Sequence, residues 1–227
     1  MKVTYYGHSC FGVGCGGSSL LFDPFISANE KAEGIKIKDI RPGYILITHG
    51  HHDHVADALN ISRECNATIV SNYEIVTWFG AQGWEKGHAM NIGGSWKFPF
   101  GRVKVVNAIH SSTLPDGRNG GNPAGFVVKT EEGSFYHAGD TALTYDMRLI
   151  GRSYRLKFAM LPLGDNFTMG IVDAIKAAGF IRCREIIGMH YDTFAPIVID
   201  HARAKKKFRD AGMNLRLLEI GQTVEIR

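Results

Sequence analysis

Three apolar runs in this chain close on a histidine or an aspartate: RVKVVNAIH on His110, SFYHAGD on Asp140 and EIIGMH on His190. A fourth, YILI from Tyr44 to Ile47, leads into THGHHDHV, where four histidines and one aspartate crowd into His49 to His54. Short runs rich in valine, isoleucine and aromatic residues read as buried strands. The repetition constrains the fold. Several strands of one structure must deliver polar ends to a common edge, and functional groups of αβ proteins gather at the carboxyl ends of strands.

The rest of the chain supplies the layers around that edge. Strands are expected at VTYY (3–6), SSLLF (18–22), YILIT (44–48) and ATIVS (67–71). Between the last two, VADALNISREC has helical spacing, with Val55, Ala58, Leu59 and Ser62 on one side. NYEIVTWFGAQG reads as a short helix stopped by glycine. A β-rich stretch follows, with SWKFPF (95–100), RVKVVNAIH (102–110), GFVVKT (125–130) and SFYHAG (134–139), the last two joined by the hairpin turn EEGS. Strand FAMLPL (158–163), helix IVDAIKAAGF (171–180), strand EIIGMH (185–190) and helix HARAKKKFRDAG (201–212) then alternate. LRLLEI and QTVEIR close the chain as two strands joined through Gly221. Helices spread through both halves, with strands between them, predict the α/β class and a four-layer αββα sandwich. With 227 residues, 44% of them apolar, and no repeat or linker, one domain over 1–227 is expected.

Composition narrows the partners. The formal net charge is +4, without long Lys/Arg tracts or aromatic-basic interleaving, so neither nucleic acid nor a membrane surface is an expected partner. Lys205, Lys206 and Lys207 read as the solvated face of a helix. No apolar run approaches a membrane span, and no signal segment is expected. Cys10, Cys15, Cys65 and Cys183 form no CxxC pair, which predicts free thiols and a reducing, cytoplasmic setting.

The histidine cluster has a chemistry of its own. In extended backbone, His49, His51 and Asp53 project to one side and His52 to the other. His54 rejoins the first group if the chain turns into the following helix, and Gly50 permits a tight bend. Nitrogen and carboxylate ligands suit zinc, with manganese, iron and nickel as alternatives. One tetrahedral ion would be satisfied by four ligands. Adding His110, Asp140 and His190 makes seven candidates, which suit two divalent metal ions.

The pattern His49-Gly50-His51-His52-Asp53-His54, followed by His110, Asp140 and His190 in order, resembles the metallo-β-lactamase superfamily. The resemblance covers essentially the whole chain. VTYYGHSCF, LLFDPF and GDNFTMG (164–170) are similar to a branch of metal-dependent hydrolases related to ascorbate-6-phosphate lactonase. It implies that His49, His51 and His110 bind a first metal, that Asp53, His54 and His190 bind a second, and that Asp140 bridges them. It also implies the αββα fold that the strand pattern suggests. Flavin-linked di-iron reductases of this fold carry Glu where this chain has His51, and true β-lactamases carry Cys where it has His190. Both differences favour a hydrolase, whereas persulfide dioxygenases keep a subset of the same ligands. Relatives often form symmetric oligomers, so a homo-oligomer is a possible state.

Other polar residues divide more evenly. His8, in a glycine-rich turn, reads equally as a substrate-contacting residue that protonates a leaving group and as a plain turn residue. Asp23 in LFDPF is expected to hold the metal-binding loop by hydrogen bonds, since ligand histidines need orienting partners. Pro24 fixes the turn after it. Asn166 and Thr168 leave their strand at the metal edge and read either as substrate-loop residues or as caps. His52 reads as a surface or supporting residue, His88 and His201 as solvated, and His137 as a satisfied core or surface histidine. RNGGNPAG (118–125) precedes a strand, which argues against a phosphate loop and for a mobile flap.

The expected function is a metal-dependent hydrolase that uses a metal-bridging hydroxide on a small anionic ester, lactone or phosphodiester. Asp53 would orient the water or accept its proton. An iron-dependent oxygenase or oxidoreductase of the same fold, or a metal-binding sensor without turnover, are the alternative readings. Nothing in the sequence chooses between C–O and P–O cleavage.

Overall fold

The computed structural model describes residues 1–226. Its first sheet takes strands β1 (Lys2–Gly7), β2 (Cys10–Cys15), β3 (Ser18–Phe22), β4 (Tyr44–Leu46), β5 (Thr68–Ser71) and β6 (Gly87–Ala89). Its second takes β7 (Ser95–Phe98), β8 (Gly101–Asn107), β9 (Ala124–Thr130), β10 (Gly133–His137), β11 (Leu156–Pro162), β12 (Glu185–Met189) and β13 (Asn214–Arg216). The last strand, β14 (Thr223–Glu225), returns to the first sheet and pairs with β1. Helices α1 (His52–Val55), α2 (Ala58–Cys65) and α3 (Tyr73–Ala81) precede β7, and α4 (Met147–Ser153), α5 (Ile171–Phe180) and α6 (His201–Asp210) follow β10. Helices α2 and α3 pack on the first sheet, α5 and α6 on the second. The architecture is the expected αββα sandwich.

Two apolar cores hold the layers. The larger lies between the sheets, where Phe22 from the first meets Phe126 and Phe135 from the second at ring-centroid distances of 6.4 and 5.9 Å. The smaller lies beneath α2 and α3 and includes Ile45, Ile61, Ile69 and Phe79. The central strands β9 and β11 are buried along nearly their whole length, and β1 buries alternate residues, a contribution of roughly 25 cal/mol for every Å² of apolar surface removed from water. No helix among the described residues is long and apolar enough to cross a membrane.

Strand direction positions the functional edge. Strands β3, β4 and β5 are parallel, and two antiparallel steps through β2 return β1 to the direction of β3. In the second sheet, β8 and β10 flank the antiparallel β9, while β10, β11 and β12 are mutually parallel. The carboxyl ends of β1, β3 and β4 therefore share one edge of their sheet. Those of β8, β10 and β12 share one edge of the other.

Several expectations change in detail. β2 replaces part of the expected glycine-rich turn, because Gly12 and Gly14 alternate within a paired strand and only His8 and Ser9 turn the chain. Helix α4 is additional. LRLLEI and QTVEIR are not neighbours in one sheet: β13 pairs with β12, and Gly221, at φ 86°, helps carry the chain across to β1. Arg227, the last residue of QTVEIR, lies outside the described residues. His88 lies in β6 rather than in a loop. All four cysteines are free. RNGGNPAG is fastened rather than loose, since Gly120 N donates to Ser112 O, and Asn72 Nδ2 donates to Gly120 O and Asn122 O.

Candidate metal centre

Side chains from both sheets meet at this shared edge. His8 follows β1, Asp23 follows β3, and His49 to His54 follow β4. From the second sheet, His110 and Asp140 each come three residues beyond β8 and β10, and His190 comes directly after β12. The alternation expected along HGHHDH ends with β4 at Leu46. His51 then caps the short helix α1, and that helical turn carries Asp53 and His54 inward while His52 stays exposed. Gly50 does not need a positive φ; a Cβ there would lie 3.0 Å from Leu114 Cδ2 and 3.3 Å from Ser112 Oγ. Its absence lets the 112–114 segment close over the loop, with Gly50 N donating to Ser112 Oγ at 3.0 Å.

The donor atoms fall into linked groups. His49, His51 and His110 offer ring nitrogens within 4.8 Å of one another, and the ring nitrogens of His8, His54 and His190 lie equally close together with a carboxylate oxygen of Asp53. Asp140 joins them. Its Oδ2 lies 2.8 Å from His190 Nε2, 3.3 Å from His54 Nε2, 3.7 Å from His110 Nε2 and 4.0 Å from His49 Nε2. One carboxylate oxygen thus stands among ring nitrogens of both groups. All of the residues expected at the metals are brought together here.

Asp23 orients this assembly from beneath. Fully buried, its Oδ1 accepts from Thr48 N at 2.8 Å, and its Oδ2 accepts from Thr48 Oγ1 at 2.7 Å and His54 Nδ1 at 2.9 Å. Because Thr48 Oγ1 gives its proton to Asp23, it accepts from His49 Nδ1 at 3.0 Å. Both imidazoles therefore carry a proton on Nδ1 and direct Nε2 into the site, the orientation a metal ligand requires.

The electrostatics suit cations. Burial lowers His49, His51 and His110 below the usual imidazole range, which keeps them in the neutral, ligating form. Burial would raise the Asp140 and Asp53 carboxyls, but neighbouring histidines outweigh it and hold both well below the usual carboxylate range. His54 goes the other way. Burial alone would lower it, yet Asp140, Asp23 and Asp53 raise it. Three carboxylates thus hold a proton on His54 that an incoming cation displaces.

Whether a metal fits is decided by the atoms left without partners. His54 Nε2, Asp140 Oδ1 and His190 Nδ1 are buried and make no hydrogen bond, and the approach of His190 and His54 to Asp140 is close without hydrogen-bond alignment. Buried polar atoms are normally satisfied. Donor atoms buried at the centre of an imidazole and carboxylate cluster and left without hydrogen bonds are arranged for ions, and an all-nitrogen-and-oxygen donor set suits zinc.

His8 is more enclosed than a substrate-facing turn residue would be. Only 1% exposed, it places Nδ1 3.0 Å from Thr193 Oγ1 and Nε2 3.1 Å from Asp53 Oδ2. Burial lowers its pKa to about 4. His137 is a satisfied core histidine: Nε2 donates to Ser9 O at 3.1 Å, Nδ1 accepts from Gly139 N, and the ring stacks on Phe22. His201 is exposed and pairs with Asp192. Asn166 and Thr168 make no hydrogen bond to the cluster, but their loop is tied to Thr141, the neighbour of Asp140, through Met169 N.

Thr48, Ser111, Ser112 and Thr193 were not legible as site residues. Ser111 Oγ lies 3.2 Å from His51 Nε2. The backbone offers one further signal. His8, Asp23 and His190 all adopt left-handed φ angles, 55°, 43° and 53°. Such conformations in non-glycine residues are uncommon and cluster at functional sites.

A family described as the Beta-lactamase superfamily domain matches residues 2–190. A metal-dependent hydrolase of Flavobacterium johnsoniae is 51% identical over 226 residues, covering 100% of both chains. Among solved structures, a metallo hydrolase from the hyperthermophilic archaeon Ignicoccus hospitalis superposes with a TM-score of 0.90 at 35% identity, over 98% of this chain and 97% of that one. An isothiocyanate hydrolase from Delia radicum gut bacteria shares the fold, with a TM-score of 0.80 at 16% identity over 99% and 98% of the chains.

Proposed function

This chain belongs to the metallo-β-lactamase superfamily and is a metal-dependent hydrolase, and from that premise we propose that it works with two divalent ions on a small ester, lactone or phosphodiester. The observation that carries the dinuclear reading is Asp140 Oδ2, which lies within 4.0 Å of ring nitrogens from both ligand groups. His49, His51 and His110 would hold one ion; Asp53, His54 and His190 would hold the other, with Asp140 between them. Zinc suits this donor set. Two such ions supply water acidified to near-neutral pKa and positive charge for the oxygens of the cleaved bond.

The protein's own groups do the rest. Asp53, ionised and with 26% of its side chain exposed, is the accessible carboxylate of the cluster and orients the attacking water through its oxygens. His8 holds Asp53 through Nε2 and is itself held by Thr193, so it positions this carboxylate. With its pKa lowered to about 4, His8 is neutral at pH 7 and is poorly suited to protonate a leaving group. Asp23 and Thr48 fix the orientation of His49 and His54. The leaving oxygen takes the proton released by water, so hydrolysis balances without another reactant.

The test is a hydrolysis panel on zinc-loaded protein, with p-nitrophenyl acetate, a lactone and bis(p-nitrophenyl) phosphate. At least one should be cleaved, and both chelation and Asp140→Ala should abolish cleavage. Full turnover in Asp140→Ala, or oxygen-dependent chemistry in an iron-loaded protein without hydrolysis, would contradict the proposal.

A further inference from the structure

The loop after His190 places an aromatic wall beside the candidate metal centre. Phe194 is 40% exposed, and its ring centroid lies 5.4 Å from that of His8 in an edge-on arrangement. Phe25, almost fully buried, lies 6.3 Å from Phe194, and His52 packs edge-on against Phe25 at 6.0 Å. His8 also hydrogen-bonds Asp53, so Phe194 and the accessible carboxylate flank the same imidazole. The loop is braced in this position. Asp192 N donates to Ile197 O, Ile199 N donates to Asp192 Oδ1, and His201 pairs with Asp192 Oδ2.

The charges around the site point the same way. No lysine or arginine pairs with a histidine or aspartate of the cluster among the described residues. Asp23, Asp53 and Asp140 would offset most of the charge of two divalent ions. Lys31 and Lys205 line a cavity together with His8 and Thr193, but Phe194 is not among the residues of that cavity. On the Phe194 side the surface is aromatic, and an aromatic face binds a flat apolar group with little loss of conformational freedom.

We infer that Phe194 is a specificity-determining residue that binds an apolar, aromatic-sized substituent of the substrate while the scissile end sits at the metals. This rests on the metal-dependent hydrolase reading and adds the class of substrate: polar at one end, apolar at the other. Two phosphonate probes separate these parts, because methylphosphonate and phenylphosphonate present the same three oxygens to the metals and differ in the group offered to Phe194.

The experiment is calorimetric titration of both phosphonates into zinc-loaded protein, its Phe194→Ala variant and its Phe194→Leu variant. The native protein is expected to bind phenylphosphonate about tenfold more tightly than methylphosphonate, a step worth about 1.4 kcal/mol. That ratio should fall close to one in Phe194→Ala and be largely retained in Phe194→Leu, which keeps an apolar side chain. Equal affinities in the native protein, or an unchanged ratio in Phe194→Ala, would overturn the Phe194 assignment while leaving the hydrolase reading intact. Failure of both probes to bind, with no hydrolysis in the panel, would overturn both.

Discussion

His8 and His137 are imidazoles that the fold keeps from protonating. Burial brings His8 down to about 4 and also lowers His137, so below pH 6.5 the folded chain binds fewer protons than the unfolded one. The His8 contribution is therefore intact above about pH 6.5 and is lost as pH falls towards 4, and His137 acts in the same direction; one pKa unit corresponds to about 1.4 kcal/mol. His54, raised chiefly by Asp140 against the effect of burial, has the opposite sign: its contribution is present below pH 6.5 and is lost as pH rises through its folded value. Thermal melts of metal-free protein should accordingly fall in midpoint between pH 6.5 and 4, and His8→Gln should flatten that acid limb. A flat native profile would contradict this assignment. At this scale the sequence was readable where residue type alone implies chemistry, as for His49, His51 and His190. It was silent on Thr48 and Thr193, whose hydroxyls matter only because the fold places them against His49 and His8.

Asp23 connects two elements. It follows β3 yet holds the backbone and hydroxyl of Thr48 just beyond β4, and it accepts from His54 across the turn into α1. Asp23→Ala leaves these groups unpartnered in a buried place, and removal of such an orienting partner typically costs 10- to 100-fold in metal affinity. Competition with a chromophoric chelator should show a loss of about that size, with far-ultraviolet circular dichroism retained. Unchanged affinity would mean that the ligands hold their own orientation. Elements with strong periodicity were legible: SSLLF and IVDAIKAAGF coincide with β3 and α5. β2 was not, because Gly12 and Gly14 suggest a turn until pairing with β1 and β3 is known. The destinations of β13 and β14 were hidden for a related reason. Local pattern identifies a strand but not the sheet that receives it.

For the whole molecule, strand direction turns a dispersed set of residues into one site. Because β8, β10 and β12 run the same way, their ends deliver His110, Asp140 and His190 to the edge where the other sheet presents HGHHDH. The αββα sandwich follows from pattern, but the crossing of β14 and the bracing of 118–125 depend on contacts far apart in sequence. The central claim is that this edge holds a pair of cations rather than one or none. Elemental analysis of protein loaded with excess zinc and then freed of unbound metal measures it directly. Two equivalents of metal per chain are predicted, whereas a single equivalent or none would contradict the account.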